Sequence, residues 1–201
     1  MAVTDILARL RAADQDPAVR LPGEVGIWIF ILGDMAVFGL FFTVFVYERD
    51  DHPDLFEASR DTLNITLGTL NTLLLLTGSL FVVRGLNAVK DGRSRVARRW
   101  LAGAIVTGLA FAVDKVVEYA DQAQAGHGIS TNHFYMYFYM YTAIHLTHLA
   151  IGVCALIYMR GLAGRPELTV RHVRNLENGA SYWHMVDLLW IVLFALLYLM
   201  G

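Results

Sequence analysis

The sequence predicts an all-α integral membrane protein, a bundle of five transmembrane helices, and three observations predict it. Hydrophobic residues make up 56% of the 201-residue chain. Five apolar segments, residues 25–47, 63–83, 100–120, 134–158 and 182–200, each approach or exceed the roughly 20 helical residues that cross a ~30 Å hydrocarbon core. Lysines and arginines then alternate from loop to loop. Arg9, Arg11 and Arg20 precede the first segment, Arg84, Lys90, Arg93, Arg95, Arg98 and Arg99 separate the second from the third, and Arg160, Arg165, Arg171 and Arg174 separate the fourth from the fifth. The other side holds only Arg49 and Arg60. Basic loops stay in the cytoplasm, so the N-terminus is expected there and the C-terminus outside, as an odd number of spans requires.

Residues 1–24 are expected to form a cytoplasmic amphipathic segment and connector, and residues 25–201 the membrane domain. Val3, Ile6, Leu7 and Leu10 fall on one helical face with Arg9 and Arg11 off it, the pattern of a short helix lying on the membrane surface. Pro17 and Pro22 interrupt the connector. The net charge of −2 gives no reason to expect a nucleic-acid partner. Cys154 is the single cysteine, which excludes an intrachain disulfide and leaves a small packing residue in an apolar run.

The first span carries one acid, Asp34, between Gly33 and Met35. Asn64, Gly68, Asn71, Thr72, Leu75 and Ser79 form a small and polar stripe on the second, as helices that approach closely require. The third places Gly103, Thr107, Ala110, Asp114 and Glu118 on one face, with Lys115 in reach of Glu118. On the fourth, Tyr137, Tyr141, His145, His148, Gly152 and Ala155 align. His184 and Asp187 share a face of the fifth, and Glu177 precedes it. Aromatic residues from Phe134 to Tyr141, with Trp28, Trp100 and Trp183, are expected at headgroup level.

Ionisable side chains inside a span are costly unless they face protein or a polar cavity. Counted from the cytoplasmic ends at 1.5 Å per residue, Asp187 lies about 8 Å deep, Asp34 about 14 Å, His148 about 15 Å, His145 about 20 Å, Asp114 about 21 Å and Glu118 about 27 Å. These depths predict a lower group of Asp34, His148 and Asp187, an upper group of Asp114 and His145, and Glu118 at the outer interface. The bland reading is a buried hydrogen-bond network that fixes helix register. The sharper one is a metal site built from His145, His148, His184 and Asp187, which would make the chain a free-standing membrane metalloenzyme. No Glu-x-x-His pair occurs twice, as a carboxylate-bridged di-iron site would need. Haem and copper ligation would require histidines on more helices than have them here.

The ending Glu177-Asn178-Gly179-Ala180-Ser181-Tyr182-Trp183-His184-Met185-Val186-Asp187-Leu188-Leu189-Trp190 closely resembles the last helix of subunit III of haem-copper oxidases. The likeness extends to Ile144 through Gly152 with its His-x-x-His, to Glu118-Tyr119, to Leu70-Asn71-Thr72 and to Asp34. Cytochrome oxidase subunits usually have glutamate where Asp34 stands, and Gly33-Asp34-Met35 looks more like the short members associated with nitric oxide reductases. The resemblance implies a five-helix form lacking the first helix pair of the long members. It implies a non-catalytic subunit of the bacterial cytoplasmic membrane that binds no haem or copper itself. Its expected partners are lipids and a catalytic subunit I-like protein holding haem with copper or iron, whose assembly, stability and proton uptake it supports. For Asp34 the resemblance implies a structural or proton-linked role.

Overall fold

The computed structural model describes residues 23–165 and 167–200. Within them lie α1 (Val25–Asp51), α2 (Pro53–Arg60), α3 (Ile65–Lys90), α4 (Ser94–Gln124), α5 (His133–Leu162) and α6 (Val170–Phe194), the last passing into a π-helical turn, Ala195–Leu199. All of these but α2 are long and apolar enough to cross a membrane. The surface helix expected around Val3–Leu10 lies outside the described residues.

Each spanning helix runs beyond its apolar segment, most of all α6, which begins at Val170 and not near Tyr182. The Thr169 side chain accepts from the His172 amide while the His172 ring accepts from the Thr169 amide, a reciprocal cap that starts a helix well outside the hydrophobic stretch. Hydropathy does not register this polar first half. Nor does it reveal α2, which opens on Pro53 and buries Phe56 against Phe45 and Phe134.

Helices α3 and α4 form a tight antiparallel pair. Gly92, at φ +74°, lets the Arg93 amide reach back to the Ala88 carbonyl at 2.8 Å, so the chain turns as soon as α3 ends. Gly126 does the same for α4, at φ +85°.

The centre of the molecule is α6. Of its most apolar window 61% is buried, against 17% for α1. Trp183, expected at headgroup level, is fully buried. A Cβ on Gly78 of α3, Gly108 of α4 or Gly152 of α5 would come within 3.3, 2.8 and 3.1 Å of its ring. Three helices thus give up their side chains where the indole lies. The aromatic residues at the start of α5 also point inward: Phe134, Tyr135, Tyr137, Phe138 and Tyr141 are all buried. The reason is α1, whose Phe41 stacks on Tyr141 at 5.5 Å and whose Phe45 meets Tyr137 edge-on at 6.0 Å. Cys154, expected as a small packing residue, is exposed on the outside of the bundle.

Candidate functional site

The predicted polar residues resolve into separate clusters, each set by the helix that carries it. At the entrance of α6, Glu177 accepts from the Gly23 amide at 3.0 Å and pairs with Lys90 at 3.1 Å. Asn178 accepts from the Glu24 amide at 2.8 Å. Because Glu24 gives α1 no side-chain cap, these two residues supply from α6 the acceptors and negative charge that a helix N-terminus favours. About two turns deeper, the Ser79 hydroxyl meets His184 Nδ1 at 2.6 Å, and Asp187 lies 3.8 Å from that nitrogen. The Asp187 carboxylate is buried, with the His184 ring and the Ser79 hydroxyl beside it.

Further along, Asn71 donates to Asp114 at 2.6 Å, joining α3 to α4. Lys115 and Glu118, one turn apart, are both buried. The Lys115 ammonium donates to Glu118 Oε2 and to the Tyr198 hydroxyl (2.6 Å), and that hydroxyl donates to Glu118 Oε1 at 2.6 Å. The ring of contacts is closed, and Trp190 and Phe138 lie 4.7 and 5.3 Å from the ammonium, which adds cation–π attraction. Glu118 is therefore enclosed by protein, near the same end of the bundle as Tyr198. Depth alone did not show that Lys115 and Tyr198 enclose it. The π-helical turn brings Tyr198 into the bundle, a local irregularity for which the sequence carries no clear marker.

The expected lower group divides. Asp34 of α1 meets His148 Nε2 at 3.2 Å, while Asp187 belongs with Ser79 and His184. His148 Nδ1 lies 2.8 Å from the Ile144 carbonyl. Carbonyl oxygen only accepts, so Nδ1 carries a proton. Nε2 then either accepts from a protonated Asp34 or donates to an ionised one. Both side chains are 16% exposed and Asp34 Oδ2 has no described partner. The expected upper group does not meet either: His145 is buried against Phe111 and Trp190, and neither ring nitrogen has a described hydrogen-bond partner.

The candidate metal ligands are thereby dispersed. His148 is committed to Asp34 and His184 to Ser79, while His145 packs among rings. Among the described residues the grouping of three potential ligands is a different one, Glu48, His52 and His133, which hydropathy and motif reading passed over because these residues stand in loops and helix ends.

A family profile described as cytochrome c oxidase subunit III matches residues 11–201. This chain belongs to the cytochrome c oxidase subunit III family. It is 29% identical to cytochrome c oxidase subunit 3 of Alkalihalophilus pseudofirmus, over 88% of this chain and 86% of that one. It is 28% identical to the protein of that name in Thermostichus vulcanus, with the same coverages. With the probable quinol oxidase subunit 3 of Staphylococcus epidermidis it shares 22% identity over 89% of each chain. Subunits of this family are non-catalytic and hold no haem or copper themselves. Its bacterial relatives and five apolar helices make this chain a multi-pass protein of the bacterial cytoplasmic membrane.

Proposed function

We propose that this chain is the accessory, subunit III-like component of a respiratory haem-copper enzyme, packing against the catalytic subunit and supporting its assembly and stability. The observation that carries the reading is the fate of the closing motif. Glu177, Trp183, His184 and Asp187 all serve helix packing or buried polar contacts. The Asp34–His148 pair, whose Asp34 Oδ2 has no described partner, lies between peripheral α1 and α5. That placement supports a proton-linked role exercised toward a neighbouring subunit.

The Gly33-Asp34-Met35 likeness supports nitric oxide reductase as the partner. Chain length does not favour it, since relatives named for cytochrome c oxidase match over 86% of their own length. The basic loops support a cytoplasmic N-terminus and an outward C-terminus. Purification of a tagged chain in mild detergent should recover a haem-bearing subunit, and the turnover of oxygen or nitric oxide by that complex decides between the partners. Stoichiometric recovery of the chain with no haem spectrum would overturn the proposal. Reporter tags at Met1 and Gly201 should face opposite sides, and finding both on one side would overturn the orientation.

A further inference from the structure

We propose that Glu48, His52 and His133 form a binding site for a divalent zinc-type cation at the end of the bundle where α1, α2 and α5 meet. Glu48 and His52 stand four residues apart, His133 comes from a distant part of the chain, and all three are on well-held backbone. Glu48 occupies the last turn of α1, and His52 is at once its C-terminal cap and the N-terminal cap of α2. His133 opens α5, directly after Asn132, whose side chain accepts from the Tyr135 amide at 3.1 Å and donates to Ser59 at 2.9 Å. Phe56 and Phe45 pack in the core directly behind, 5.3 Å apart.

The geometry suits an ion. Donors about 2.0–2.1 Å from a tetrahedral zinc lie roughly 3.3 Å from one another. Glu48 Oε2 and His133 Nδ1 are 3.3 Å apart, and one ligand atom from each of the three residues lies within 4.8 Å of the others. A rotation of the His52 ring, whose side chain is 48% exposed, would close the remaining gap. Two imidazoles and one carboxylate are a borderline donor set that favours zinc, copper or nickel over magnesium or calcium. Asp51, 3.6 Å from His52 Nε2, adds negative charge beside the site. Since Glu48 and His133 also make an ion pair without any metal, the test must separate a pair from a site. The exposure of both histidines leaves a coordination position open to water or to a side chain of another subunit.

Chelator-washed full chain in detergent, titrated with zinc chloride by calorimetry, should take up one zinc per chain saturably. Cobalt(II) chloride should give the visible bands of a tetrahedral or five-coordinate ion. His52→Ala and His133→Ala should each weaken zinc binding by at least about tenfold and abolish the cobalt bands. Glu48→Gln, which keeps the shape of the side chain, should weaken it as well. Circular dichroism and thermal midpoint should stay unchanged without metal for all three. Absence of saturable uptake, or uptake equal in the wild type and in both histidine variants, would overturn the site and leave Glu48–His133 as an ion pair. The outcome is independent of the haem-bearing partner, because the ligands all belong to this chain.

Discussion

The helices α3 to α6 and the helix α1 are all apolar enough to cross a membrane but are held by different means. In the first region backbones approach closely through glycines, Trp183 fills the shared space, and the buried charges of Lys115 and Glu118 are enclosed with Tyr198. The second is attached at a distance, by aromatic side chains from Phe38 to Phe45, by the acceptors of Glu177 and Asn178 at its start, and by Asp34 with His148 midway. In a membrane, where apolar surface gains little by meeting other apolar surface, packing and polar contacts decide which helices associate. The difference therefore separates a closely packed core from a peripheral helix that is held mainly by side-chain contacts.

The largest effect should come from breaking the enclosed charge pair. Lys115→Met leaves Glu118 buried without its cation, a loss on the scale of roughly 3 to 5 kcal/mol. The double variant Lys115→Met/Glu118→Leu should recover most of it, because both charges leave together. Thermal unfolding in detergent reads both. Equal stability of the single variant and the wild type would show that the triad does not hold the core.

Next come the glycines. A Cβ on Gly108 would lie 2.8 Å from the rigid Trp183 ring, so Gly108→Ala should cost about 1 to 3 kcal/mol by overpacking. On α1, Gly33 and Gly39 have nothing within 4 Å of the added carbon. Gly39→Ala should then stabilise the isolated chain by up to about 1 kcal/mol, the helix preference of alanine over glycine. The contrast fails if both substitutions change the melting temperature in the same direction.

These contrasts also show what the sequence could and could not disclose. Five spans were legible because each needs a long apolar run. The stripe of Gly68, Asn71 and Leu75 was legible as packing because small residues recur at helical spacing, and all three are buried. The role of Trp183 was not: an indole near a span's end reads as a headgroup anchor until α6 is seen to begin at Val170. The enclosure of Glu118 by Lys115 and Tyr198 was not legible for a related reason, since depth along one helix says nothing about which neighbours cover a side chain. Asp34 and His148 were brought near each other by depth alone, whereas Asp187, on the same argument, was grouped with the wrong partners.

A smaller loss is expected where α1 is clamped. Glu177→Ala removes the acceptor of the Gly23 amide and the partner of Lys90, on the scale of about 1 to 3 kcal/mol for a buried group left unsatisfied. Its signature should be local. Hydrogen exchange should quicken at Gly23 to Trp28 while the amides around Trp183 stay protected. Uniform loss of protection would mean that α1 and the core unfold as one unit.

The smallest effect on the isolated chain is expected from Asp34→Asn, and it bears most on function. With the Nδ1 proton of His148 held by the Ile144 carbonyl, a protonated Asp34 donates to Nε2, and an asparagine amide can donate there equally well. An ionised Asp34 accepts from an imidazolium instead, which asparagine imitates only weakly and without charge. If Asp34 is a neutral packing acid, Asp34→Asn should leave melting temperature, recovery of the haem-bearing partner and that partner's turnover near the wild type. Asp34→Leu, which strands Nε2, should then impair assembly. If Asp34 exchanges its proton, Asp34→Asn should assemble normally while turnover falls or decays over repeated cycles. The unpartnered Oδ2 and the partial exposure of the pair set it apart from the closed Lys115–Glu118–Tyr198 ring. Turnover of the purified complex over successive cycles, compared between Asp34→Asn and Asp34→Leu at matched assembly, decides whether this pair fastens α1 or moves a proton along it.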